Sequence, residues 1–172
     1  GITLRTARPG DAAALLAFLC RHAASSLYLR FFLAEGGLVD DGKPLQGTYA
    51  AAFDGADVVG VAMHDWQGAV FLQAPDHATA LAGAVVKASG RTLFAILGPF
   101  SQVEDVHLSL GKSPTSQPAK DGLFALNIDE MIGPDLGSKS LVCRIAQGED
   151  LALLLDWRFQ YDMESTGLPD TE

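Results

Sequence analysis

Three short apolar segments joined by two tight-turn signals, within residues 47–74, constrain this chain more than any other feature. Residues 48–53 and 57–65 flank Asp54-Gly55, a hairpin signal because the turn needs a positive φ that glycine adopts freely. Trp66-Gln67-Gly68 makes a second turn, leading into 69–73. Three strands in succession predict an antiparallel sheet at the centre of the fold.

The flanks alternate helices with further strands. Residues 2–7 alternate apolar and polar and read as a strand, broken by Arg8-Pro9-Gly10-Asp11. Asp11 is the expected N-cap of a helix over 12–24, with Leu15, Leu16, Phe18, Leu19 and Ala23 on one face. A second helix over 27–35 stops at Gly36-Gly37, and 38–46 is a polar loop containing Asp40-Asp41-Gly42. Asp76 is expected to cap a helix over 77–89, closed by Gly90. A strand over 92–97 ends at Gly98-Pro99, and a helix over 101–110 ends at Gly111. Residues 112–121 read as an exposed loop, 122–128 and 140–146 as strands, 149–165 as a helix and 167–172 as a tail. The order β-α-α-β-β-β-α-β-α-β-β-α predicts an α/β (α+β) fold with helices flanking a mixed, mostly antiparallel sheet.

Composition narrows the partners. The 172 residues carry 21 acidic and 12 basic side chains, a net charge of −9. That balance opposes nucleic acid, whose binding rests on Lys and Arg neutralising phosphates, and opposes an anionic membrane surface. A phosphate-bearing cofactor stays open, because helix N-termini bind phosphate without a basic surface. Cys20 and Cys143 are far apart in apolar stretches, which predicts buried free thiols and neither a disulfide nor a metal site. With no membrane-length apolar run and no signal segment, the expected compartment is the cytoplasm. The start at Gly1 rather than Met suggests a cloning remnant or an internal boundary.

One pattern occurs twice. Arg5-x-Ala7-x-x-x-Asp11-x-Ala13-x-Leu15-Leu16 returns as Arg144-x-Ala146-x-x-x-Asp150-x-Ala152-x-Leu154-Leu155, at a constant offset of 139 (144 against 5, 155 against 16). Both copies span a strand end, a turn and a helix start. Residues 1–139 then read as one domain, and 140–172 as the first strand and helix of a second, truncated copy.

The element order resembles the GNAT superfamily of acyl-CoA-dependent N-acyltransferases, over residue 2 to about residue 146. More narrowly, Gly60-Val61-Ala62-Met63-His64-Asp65-Trp66, Leu72-Gln73-Ala74-Pro75, Ser89-Gly90-Arg91, Gly98-Pro99-Phe100-Ser101-Gln102-Val103 and Asp156-Trp157-Arg158 look like the N-terminal half of two-domain bacterial GNAT proteins. The resemblance implies transfer of an acetyl group from acetyl-CoA to an amine. It also implies a cofactor loop after the fourth strand, of pattern Gln/Arg-x-x-Gly-x-Gly/Ala. The matching stretch is Gln73-Ala74-Pro75-Asp76-His77-Ala78, in which Gln73 and Ala78 fit as cofactor-binding residues. Asp76 replaces the first glycine with a negative charge, and Pro75 removes a backbone donor, so tight binding of acetyl-CoA is not expected. In the family's last helix, Val103 falls at the Ala position, Phe100 at the Asn position and His107 at the position of the Tyr general acid. His107 is thus the one candidate for protonating a thiolate leaving group. Lys112 stands where the family carries Phe.

These departures make the chain an expected non-catalytic, N-terminal GNAT-like half, with chemistry supplied by a C-terminal copy. The expected partner is that missing C-terminal domain, or else a second copy of the chain through self-association. Two other readings are a stand-alone acyltransferase with a modified loop and a non-enzymatic ligand-sensing or assembly domain. Among other constellations, His64-Asp65 ends a strand where an imidazole would be accessible, yet neighbours on a strand face opposite ways and cannot easily pair. Ser101 follows Gly98-Pro99-Phe100 without the Gly-x-Ser-x-Gly pattern of a nucleophile elbow. Asp129-Glu130 and Asp40-Asp41 read as solvated or capping pairs. Trp157, Phe159 and Tyr161 are expected to pack on a sheet or a partner domain.

Overall fold

The computed structural model describes residues 1–110, 120, 122, 128–130 and 144–166. The chain divides into two compact units, Gly1–Ala125 and Leu126–Glu172, each described by itself.

The first unit is built on a five-stranded sheet. Its strands are β1 (Ile2–Thr6), β2 (Gly47–Asp54), β3 (Asp57–Asp65), β4 (Ala69–Gln73) and β5 (Ala95–Leu97), in spatial order β1-β2-β3-β4-β5. The first four run antiparallel to their neighbours, and β4 pairs with β5 in parallel. Gly55 at φ 61 and Gly68 at φ 93 supply the two turns read from the sequence. The β2–β3 register shifts between Ala52 and Phe53, an irregularity that twists the sheet locally.

Helices cover both faces. On one side α1 (Ala12–Arg21) and α2 (Leu27–Gly36) bury Leu15, Phe18, Leu19, Leu29 and Phe32 against Tyr49, Ala51, Val61, Met63 and Phe71. On the other, α3 (Ala78–Ser89) buries Leu81, Ala82 and Val85 against Ala50, Ala52, Ala62, Val70 and Leu72, with Val106 of α4 (Phe100–Leu110). The alternation along β2 explains the split. Its Tyr49, Ala51 and Phe53 face α1 and α2, and Ala50 and Ala52 leave room for α3 to lie close. Gly60 extends that small-residue seat, since a Cβ there would lie 3.0 Å from Leu81 Cδ1.

Several expectations need correction. Helix α1 ends at Arg21 rather than at 24, because the Ser25 N–H and the Ser26 hydroxyl take the carbonyls of His22 and Leu19. Asp11 sits at the N-cap of α1 without a side-chain cap, its carboxylate being engaged by Arg5 and Arg8. Asp76 does not cap α3; His77 occupies that place and also makes no side-chain cap. Strand β5 is confined to 95–97, because before it the Phe94 N–H turns to the Gly68 carbonyl at 2.7 Å. Cys20 is exposed, lying beside the Leu15, Phe18 and Leu19 stripe rather than in it. The strands expected at 122–128 and 140–146, the loop at 112–121, Cys143 and the tail lie mostly or wholly outside the described residues. Where described, Ile128–Glu130 is a 3-10 turn and 144–146 carries no ladder.

The second unit, where described, is a 3-10 turn at Gly148–Asp150 running into α5 (Leu151–Thr166). Leu151, Leu154, Leu155, Trp157, Phe159, Tyr161 and Met163 are all exposed along it. No helix among the described residues is long and apolar enough to cross a membrane.

Candidate functional site

The segment after β4 is where the resemblance places a diphosphate. Two of its polar groups, the Gln73 side-chain oxygen and the Ala74 N–H, are turned inward and satisfied by the chain itself. Gln73 is 2% exposed, and its Oε1 accepts a hydrogen bond from the Ser25 hydroxyl at 2.7 Å. Ala74 is fully buried, and its N–H donates to Gln102 Oε1, also at 2.7 Å. Gln102 comes from the first turn of α4 and is itself buried. Pro75 has no N–H, and Asp76 is exposed with its charge at the mouth of α3. Ala78 packs into the core beneath α3 instead of opening the loop.

Gly98 tightens the same junction. A Cβ there would lie 2.8 Å from the Leu72 carbonyl oxygen, so only glycine lets the β5–α4 turn approach β4 this closely. The close approach is what brings Gln102 onto Ala74. These residues do not fit acetyl-CoA in the way the resemblance implies. One loop donor, the Ala74 N–H, is spent, Pro75 offers none, and Asp76 sets a carboxylate beside the start of α3. Gln102 was legible only as part of a family-like segment. Its partner lies 28 residues away in the chain, with no local pattern to announce it.

His107 is half-buried on α4, and its Nε2 is buried without a hydrogen-bond partner. Five residues beyond Gln102, it lies about 7 Å further along the helix and about 140° around it. The two side chains therefore serve different sides of α4. Phe100 is at the start of that helix and Val103 is partly buried against the α3 side of the core.

Two other segments singled out in the sequence meet in the fold. His64 is fully buried rather than accessible, with Nδ1 2.7 Å from the Ser89 hydroxyl and Nε2 unpartnered. Ser89 also accepts the Arg91 N–H at 3.2 Å. The Arg91 guanidinium reaches the His64 carbonyl and forms a two-pronged pair with Asp40 at 2.7 and 2.8 Å. Asp40 further accepts from the Thr48 hydroxyl at 2.6 Å and the Gly42 N–H at 3.1 Å. Arg91, then Thr48 and Gly42, hold its carboxyl at about 2, well below the usual range. His64 and Asp65 do not pair; Asp65 Oδ1 instead accepts the Gln67 and Ala69 N–H groups of the β3–β4 turn. This network links a loop, a strand end and a helix end, and reads as structural. Among the described residues, no group of three or more His, Cys, Asp or Glu is placed to hold a metal.

The repeated sequence pattern has a repeated geometry. Arg5 pairs with Asp11 through two bonds of 2.7 and 2.8 Å, and the Arg8 N–H donates to the same carboxylate at 2.7 Å. Arg144 pairs with Asp150 at 2.5 and 2.8 Å, and the Gln147 N–H donates to that carboxylate at 2.8 Å. In each copy the arginine also reaches the carbonyl of the next residue, Thr6 or Ile145. Each clasp closes a 3-10 turn that leads into a helix.

No family model and no curated protein matches the chain. Solved structures similar to it include a ribosomal-protein-alanine N-acetyltransferase from Brucella melitensis biovar Abortus 2308, at 14% identity over 71% of this chain and 99% of that one, with a TM-score of 0.45. A transcriptional regulator from Bacillus halodurans C-125 is similar at 15% identity over 71% and 99%, with a TM-score of 0.41. An acetyltransferase of the GNAT family from Streptococcus pneumoniae is similar at 18% identity over 64% and 83%, with a TM-score of 0.40.

Proposed function

We propose that this chain is the N-terminal, GNAT-like part of a cytoplasmic acetyltransferase, and that this part does not itself carry the transfer from acetyl-CoA to an amine. The order of β1 to α4 is the one the resemblance implies, from the first strand through two helices, three antiparallel strands and the helix-strand-helix that follows. The observation that carries the non-catalytic reading is the bond from the Ala74 N–H to Gln102 Oε1, which spends a loop donor inside the protein. A diphosphate at α3 would meet Asp76 and would find no donor on Pro75.

The second copy is the other half of the proposal. The clasp of Arg144, Gln147 and Asp150 repeats that of Arg5, Arg8 and Asp11 bond for bond, which supports a duplicated unit beginning near residue 140. In the first unit Leu15 and Phe18 are buried; their counterparts by the offset, Leu154 and Trp157, are exposed and await a sheet. A non-enzymatic sensing domain is the second reading, favoured by the aromatic hollow beside α2.

Calorimetric titration with acetyl-CoA tests the first claim: no heat and no thermal shift are expected. Micromolar binding would return catalysis to this part of the protein. For the duplication, the residues encoded after Glu172 decide. A Gln/Arg-x-x-Gly-x-Gly stretch there is expected at the spacing of the first copy.

A further inference from the structure

On the α2 side of the sheet, where β4 and β5 begin, lies a hollow of about 630 Å³. That is within the range of about 300–1,000 Å³ common to small-molecule sites. Tyr28, Phe32, Trp66, Phe71 and Phe94 line it, and among the described residues Asp65 is its only charged lining residue. Phe32 meets Trp66 and Phe71 edge-on at 5.7 and 5.1 Å between centroids, and Tyr28 leans on Phe71 at 5.6 Å. The inner rings are held by the core, whereas Tyr28 is 60% and Phe94 84% exposed. The hollow opens at the start of β4, the end of the strand away from residues 73–78. It therefore stands whether or not that loop binds a cofactor.

Asp65 settles which ligand suits this wall. The residue is 2% exposed, and its carboxylate is fixed by N–H donors from Gln67 and Ala69 at 2.9 and 2.7 Å. Arg91 is the cation that feels its charge, but both terminal guanidinium nitrogens of Arg91 are given to Asp40. Among the described residues the Asp65 carboxylate thus shares Arg91 with Asp40, and it stands beside a set of aromatic rings. Anions are repelled there, and a single carboxylate is too few ligands for a metal ion. A primary ammonium needs several acceptors that the rings do not offer. A methylated ammonium needs none, and gains from both the ring quadrupoles and the carboxylate field.

We propose that this hollow is a binding site for a methylated organic ammonium. Its test uses the full chain with Trp157→Phe, which leaves Trp66 as the single reporter. Choline and benzyltrimethylammonium are titrated against Trp66 emission, beside the neutral carbon isostere of choline. A saturable change in the millimolar range or tighter is expected for both cations and none for the isostere. Phe94→Ala, at a side chain too exposed to support the fold, is expected to weaken binding about fivefold, the loss of one cation–π contact. Asp65→Asn keeps the acceptor for the turn and removes the charge, and is expected to weaken it at least as much. No saturation by either cation, equal binding of the isostere, or unchanged affinity in Phe94→Ala overturns the proposal.

Discussion

Arg91 and Asp40, 51 residues apart in the chain, close on one another through two hydrogen bonds and tie the α2–β2 loop to the segment after α3. Nothing else described joins those two connections so directly, since Thr48 reaches Asp40 only from the adjoining strand. The pair is only partly exposed, at 25% for the arginine side chain and 17% for the aspartate.

This pair makes a signed prediction about acid. Asp40 is held at about 2 in the folded protein. An unfolded aspartate titrates near ~3.9. A carboxyl depressed by folding stabilises the native state fully above its unfolded value, and that contribution is lost as pH falls through the folded value. The melting temperature should therefore drop between about pH 4 and pH 2, and Asp40→Asn should flatten that part of the profile. At pH 7 the same substitution should cost about 2 kcal/mol. Denaturant titrations of both proteins across that range check it; identical profiles would remove the pair from the stability of the fold.

Gln102 offers a second test. Gln102→Ala leaves the Ala74 N–H buried without an acceptor, which costs about 1–3 kcal/mol and several degrees of melting temperature. Acetyl-CoA should still fail to bind, because Pro75 and Asp76 remain. Adding Asp76→Gly to the alanine variant removes the like charge. A gain of binding only in the double variant would show that Gln102 and Asp76 close the loop together.

How much of this was legible beforehand depends on the distance between partners. The β2–β3–β4 meander was readable because its turns are local: Gly55 and Gly68 must sit at positive φ wherever the strands go. Strand β3, 57–65, and strand β4, 69–73, have the bounds the sequence implies. Asp11 and Asp76 were misread as caps for one reason. An aspartate before a helix has a local use, but a nearby arginine or an outward-facing turn can claim it instead. The core bonds of Gln73, Gln102, Arg91 and Asp40 were not readable. Each joins residues at least 28 apart, and side-chain chemistry alone does not name a partner at that range.

Gly36 lets the return of the 38–46 loop be tested. A Cβ at Gly36 would fall inside contact distance of the Leu45 carbonyl oxygen. Leu45 has little freedom to withdraw, since it already sits at φ 68, the one non-glycine at positive φ among the described residues. Gly36→Ala should therefore cost more than about 3 kcal/mol, or fail to fold. Gly10→Ala is the control, with nothing within 4 Å of the new methyl. It should stay within about 0.5 kcal/mol of the parent. Equal effects would mean that the loop does not return over the end of α2.

The duplicated clasp predicts a shared signature in solution. The Arg8 and Gln147 N–H groups each donate to an aspartate that an arginine also grips, so their proton shifts should follow the ionisation of Asp11 and Asp150. Arg5 is the main cause that lowers Asp11 to about 2, and Arg144 the main cause that lowers Asp150. In an NMR pH titration both amides should move together, with midpoints below the ordinary carboxylate range. Arg5→Met should raise the midpoint seen at Arg8 and leave that at Gln147 in place, and Arg144→Met should do the converse. If the two segments descend from one unit, each clasp forms from its own three residues, and neither variant disturbs the other copy. A Gln147 amide that titrates in the ordinary aspartate range would mean that the second clasp is absent, and the likeness between the two segments would then be one of sequence alone.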